Sequence, residues 1–133
     1  MPRFAKLTPE ILYDRLLIFA KRCQKLVSRL PKTRYNLIYG DQLIRSSSSP
    51  GSNYIEAIEA SSRKEFVHKL KTCRKESKES IHWLDLIQNA NESLGLVKKE
   101  TNDLTVEATE FVKIFTSSII TLEKNREINK FSK

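Results

Sequence analysis

The sequence predicts an all-α fold, an antiparallel four-helix bundle, and three observations carry that prediction. Apolar residues recur in alternating steps of four and three along separate segments of 20 to 30 residues. Helix-start chemistry stands in front of those segments. Nothing reads as a strand, and three glycines in 133 residues leave little material for a turn-rich β fold. A chain of this length makes one domain, residues 1–133, large enough to bury a modest core.

The first helix, about 9–30, opens at Thr8-Pro9-Glu10. Thr8 caps it, the proline occupies the first turn, and the acid faces the positive end of the helix dipole. Leu12, Leu16, Phe19, Cys23, Leu26 and Leu30 form a continuous apolar seam, and Pro31 ends it.

The second helix, about 34–61, starts near Thr33 and carries Tyr35, Tyr39, Leu43, Ser46, Pro50, Asn53, Ala57 and Ala60 on its seam. That seam is small and polar where the others are large and apolar. Inside it lies RSSSSPGSNYIEA, residues 45–57, which local rules read as a loop with a new helix capped by Ser49. The competing reading is one helix bent at Pro50. The ring removes the bond to the Ser46 carbonyl, costs roughly 3 kcal/mol unless compensated, and leaves hydroxyls of Ser46, Ser47 and Ser49 to compensate it. Small side chains there let neighbouring helices approach closely.

The third helix, about 63–91, opens with a capping box, Ser62 to Glu65. Its seam is Phe66, Leu70, Cys73, Ser77, Ser80 and Leu84, widened by Ile81, Trp83 and Ile87, and it fades at Asn89-Ala90-Asn91 before a turn marked by Gly95. The fourth helix, about 103–125, carries Leu104, Ala108, Phe111, Phe115, Ser118 and Leu122, with Val112, Ile119 and Ile120 alongside. A basic tail, 124–133, is expected to fray.

The charge is +8 and polarised: +7 over residues 1–34, +5 over 63–78 and +3 over 124–133, with −2 and −5 between them. Such a distribution points to an acidic partner, nucleic acid first and an anionic protein or membrane surface second. No apolar run is long enough to span a bilayer and no signal-peptide core is present, so the chain is expected to be cytoplasmic with reduced thiols.

On the third helix Lys64, His68, Lys71, Lys75, Lys78 and His82 follow four-three steps offset by two residues from the apolar seam, hence on the opposite side. On the first helix Arg15, Arg22, Lys25, Arg29 and Lys32 make a second basic row. Arg15, Arg22, Lys25, Arg29, Lys64, Lys71, Lys75 and Lys78 are the predicted nucleic-acid contacts, two rails that follow a phosphate backbone without reading bases. Solvated lysine faces are the ordinary alternative.

Two Glu-x-x-His pairs, Glu65/His68 and Glu79/His82, bear on a di-iron oxidase. Both lie on one helix about 21 Å apart, so they cannot share a site, and no metal or cofactor is expected. Cys23 and Cys73 occupy seam positions without an activating histidine, and the serine run lacks the lysine of a P-loop. No catalysis is assigned. Asn53 and Glu56 are read as structural, bonding freed carbonyls at the bend or a neighbouring subunit, and Trp83 as an anchor between helices or subunits.

The run from Gln42 to Ala60, with Pro50, Gly51, Asn53, Tyr54 and Glu56 at its centre, is followed by Phe66, His68-Lys69 and Trp83-Leu84. Over roughly residues 10–122 it resembles the bacterial four-helix-bundle family encoded in intervening sequences of large-subunit ribosomal RNA genes, whose relatives include the accessory variability determinant of diversity-generating retroelements. The resemblance implies an antiparallel up-down four-helix bundle whose second helix runs through the serine-rich stretch, kinked at Pro50, together with a ring-like homo-oligomer, a pentamer, and binding to RNA or DNA or to a nucleic-acid enzyme such as a reverse transcriptase. Pro50 departs from the family pattern, which has an aliphatic residue there. The expected function is that of a non-catalytic accessory protein binding nucleic acid; the alternative is a protein-interaction scaffold docking an acidic partner.

Overall fold

The computed structural model describes residues 6–131, with side chains as far as Asn125. The extreme ends of the expected domain, including the last two residues of the basic tail, lie outside the described residues. Four helices follow one another: α1 (Pro9–Arg29), α2 (Arg34–Ile58), α3 (Arg63–Ala90) and α4 (Gly95–Phe131). Together they form an all-α bundle.

Each of the first three helices starts on a hydroxyl that satisfies an otherwise orphaned amide. Thr8 accepts from the Ile11 N–H, Thr33 from the Asn36 N–H and Ser62 from the Glu65 N–H. The capping box is modified at its return bond. Glu65 Oε2 accepts from the N–H and hydroxyl of Ser61, one residue before the cap, so it ties down the connection as well as the helix.

The seams of α1 and α3 are buried as the periodicity requires, from Leu12 to Leu30 and from Leu70 to Ile87. Two seams differ. Along α2 the inner positions are Asn36, Gly40, Leu43, Ser46, Ser47, Pro50, Tyr54 and Ala57; Tyr35 is 62% exposed and Asn53 half-buried. Small residues win the inner line because a neighbour occupies the space: a Cβ on Gly40 would stand 2.8 Å from Val27 Cγ1 of α1. Asn36 and Asn91 exchange amide hydrogen bonds of 2.9 and 2.8 Å while also capping the carbonyls of Pro31 and Ile87. This pair closes one end of the bundle with all its buried donors satisfied.

Along α4 the seam begins at Val97 and Thr101, earlier than expected, and passes through Ile119, leaving Ile120 exposed. The helix therefore starts at Gly95, eight residues before residue 103, with the turn at Asn91–Leu94. It continues to Phe131 through most of the tail expected to fray, which contains no proline or glycine to stop it.

Hydrogen bonds and ion pairs give the register. Ser46 pairs with Ser80, the Pro50 carbonyl with Cys73, and Glu56 with Lys69, so α2 and α3 run in opposite directions. That pair makes the most extensive contact, α1 and α4 the least, and α1 and α3 do not approach one another among the described residues. α2 is a single helix through Pro50. Ser46, Ser47 and Ser48 hydroxyls donate to the carbonyls of Leu43, Ile44 and Arg45, and not to the Ser46 carbonyl that the proline ring frees. The serines are packed for their size: Ser46 and Ser80 are fully buried with their hydroxyls 2.9 Å apart.

Candidate nucleic-acid interface

A cation contacts a polyanion only if it is exposed and not already neutralised, so the eight predicted contacts divide by their neighbours. Lys64, Lys71, Lys75 and Lys78 all stand exposed on the outer side of α3, together with His68 and His82. The reason is geometric: two positions along a helix turn about 200°, which carries the row away from the buried seam. Lys71 reaches Glu123 of α4 at 2.9 Å. Lys64, Lys75 and Lys78 have no carboxylate within ion-pair distance among the described residues. Lys64 and Lys71 also border a cleft of about 490 Å³ with Arg63, His68, Leu122 and Glu123, where α3 begins and α4 ends.

The row on α1 is different. Arg15 donates to Glu107 through Nη2 at 2.6 Å and Nε at 3.2 Å, and its guanidinium lies 5.5 Å from the Phe111 ring centre. The Glu107 bond outweighs partial burial and pushes the Arg15 pKa up from its ordinary value. Arg22 pairs with Glu100 at 3.0 Å. Both arginines are struts between α1 and α4, an arrangement that spacing along one helix cannot reveal. Lys25 and Arg29 remain exposed, without a carboxylate partner among the described residues.

The two rails also do not form one surface. α1 and α3 sit diagonally across the bundle, so a single strand lying on Lys75 and Lys78 does not meet Lys25 and Arg29 of the same subunit.

The other singled-out residues make contacts within the bundle. Asn53 Nδ2 donates to the carbonyl and hydroxyl of Ser49, one turn back on its own helix and not to a freed carbonyl. Glu56 pairs with Lys69 at 2.8 Å. Tyr54 is buried against Phe115, and Gly51 faces Tyr13 and Leu16 of α1 with room for a methyl group. Trp83 joins α2 and α3 through Tyr39, with His82 edge-on at 4.8 Å, and its indole N–H is buried without a hydrogen-bond partner among the described residues. Burial pushes the Cys23 and Cys73 thiols up to about 12, far from the thiolate a nucleophile needs. Among the described residues no group of three or more metal-ligating side chains comes together.

Two features escaped the sequence reading. Arg45 of α2 reaches Glu76 at 3.0 Å and Glu79 at 3.6 Å, and Glu76 is nearly buried. Burial first, then Glu79, raises the Glu76 pKa above the usual carboxylate range. The second feature is an exposed apolar line on α2: Leu37, Ile44, Ile55 and Ile58 recur at helical spacing roughly 100° from the buried seam. The four-three pattern of that second line was present in the sequence, masked by Asp41, Ser48 and Gly51 between its members.

The family model described as 23S rRNA-intervening sequence protein matches residues 11–117. A solved structure, described as a protein with unknown function from the S23 ribosomal protein family from Bacteroides thetaiotaomicron, is similar with a TM-score of 0.72 and 30% identity, over 81% of this chain and 97% of that one. No curated protein matches.

Proposed function

The chain belongs to the 23S rRNA-intervening sequence protein family, and we propose that it is a non-catalytic accessory protein that binds nucleic acid through the outer face of α3. The observation that carries this reading is the row of Lys64, Lys75 and Lys78, exposed, at helical spacing and free of acidic partners among the described residues. The row offers mainly point charges to phosphates, so binding is tolerant of sequence and steep in salt. Lys71 joins the row by releasing Glu123, whereas Arg15 and Arg22 serve the fold. Lys25 and Arg29 contribute only where a neighbouring subunit brings a second strand of contacts to the α1 side.

Self-association is part of the same reading. Leu37, Ile44, Ile55 and Ile58 expose an interrupted apolar line along α2, and burying those side chains is favourable. Covering it with a second copy builds a homo-oligomer, for which the family resemblance suggests five subunits. Kinship with retroelement accessory determinants, and with it a reverse transcriptase as partner, extends the reading, as does a cytoplasmic location. No described helix is long and apolar enough to cross a membrane.

The test is the double variant Lys75→Glu/Lys78→Glu titrated with single-stranded RNA at several salt concentrations. Losing two phosphate contacts per subunit makes the slope of log affinity against log salt shallower by about 1.4, with helical content and subunit number unchanged. An unaltered slope removes α3 from the interface.

A further inference from the structure

At the end of the bundle opposite the Lys64 cleft, α1 finishes and α4 begins. The last two turns of α1 place Arg22, Lys25, Leu26 and Arg29 along one wall of a cleft of about 370 Å³, and the first turns of α4 with the preceding Leu94 form the other. Leu26 and Val97 are buried in its floor, and Leu94 and Leu96 form its rim at 38% and 86% exposed. Leu96 is the most exposed large apolar side chain among the described residues. The lining carries four cations, Arg22, Lys25, Arg29 and Lys99, against a single carboxylate, Glu100, which is engaged by Arg22. Lys99 is held by Asp103, leaving Lys25 and Arg29 as the unneutralised pair.

We infer that this cleft docks an acidic protein segment carrying an aliphatic or aromatic anchor. An aliphatic floor and rim supply surface that gains by covering an apolar side chain, and the flanking Lys25 and Arg29 supply positive charge that attracts carboxylates on either side of it. Nucleic acid fits this cleft less well than it fits α3. Its floor and rim, Leu26, Val97, Leu94 and Leu96, are aliphatic and offer nothing to a phosphate backbone, whereas the exposed row on α3 is a line of lysines. Because α1 and α3 are diagonal, the segment and a strand on α3 occupy the same subunit without touching, which makes the bundle an adaptor between an acidic protein and a polyanion.

The inference does not depend on nucleic acid binding at α3, and its test separates the two. A random peptide library is selected on the full-length protein and counter-selected on the triple variant Lys25→Glu/Arg29→Glu/Leu96→Ser. The expected survivors are rich in Asp and Glu around a large apolar residue. Their affinity falls by at least about tenfold in Leu96→Ser alone and again in Lys25→Glu/Arg29→Glu, while Lys75→Glu/Lys78→Glu leaves it unchanged. All three sites are exposed, so loss of folding is not the expected reason, and thermal unfolding of each variant checks it. Survivors that lack acidic residues, or whose binding ignores Leu96, overturn the proposal. So does a single-stranded RNA of about 20 nucleotides that shifts the amide resonances of residues 95–99 and is not displaced by the selected peptides.

Discussion

Between α2 and α3 the Ser46 and Ser80 hydroxyls meet at 2.9 Å and the Cys73 thiol reaches the Pro50 carbonyl at 3.4 Å, whereas α1 and α4 are joined at their polar edge by the extended side chains of Arg15 with Glu107 and Arg22 with Glu100. Inside the second pair, Phe19 and Phe111 stand edge to face at 5.4 Å. Small residues draw one pair of helices into the most extensive contact of the bundle, and long or bulky residues hold the other pair in the least extensive. Side-chain size at a seam thus decides where surface closes and where it opens. The tight seam carries the serines, and the open one carries the cationic cleft.

The comparison breaks most visibly if the tight seam is overfilled. Ser46→Leu adds a net two heavy atoms, and a branched shape, at a fully buried position, and urea unfolding is expected to show a loss of about 3 kcal/mol. Ser46→Ala, which removes only a hydroxyl, loses about 1 kcal/mol. A leucine variant as stable as the parent would mean the helices are not held close by small residues. On the open side Arg15→Met is expected to cost only about 1 kcal/mol, because the pair is 23% and 27% exposed and solvent screens it, and most of that loss disappears in high salt. A loss as large as that of the leucine variant would promote the strut to a core element.

The smallest effect is a slope. Glu76 holds its proton more tightly when folded, through burial and then Glu79, with Arg45 opposing. A raised carboxyl pKa contributes stability that is fully present below the unfolded value of about 4.3 and is lost as pH rises through the folded value. Glu76→Gln should therefore flatten the fall of stability with pH above that point. An unchanged curve would show that the Arg45 side of the tight seam does not titrate.

Much of the bundle was legible because its causes are local. The Thr8 and Ser62 caps, the seams of α1 and α3 and the outward turn of Lys64 to Lys78 follow from neighbours within a few residues. The misread positions are those where a distant residue chose. Asn36 took an inner place from Tyr35 because Asn91 offered it two hydrogen bonds from 55 residues away, and α4 began at Gly95 because Val97 and Thr101 found a core to enter.

The sequence by itself determined the number and order of the helices, the capped starts of α1 and α3 and the sign of charge on each face, since periodicity and capping are read within single helical turns. Only the tertiary structure decided which of those charges are free. Arg15 is neutralised by a glutamate 92 residues away and Arg22 by one 78 residues away, while Lys75 and Lys78 meet none among the described residues, because packing alone sets which helices lie side by side.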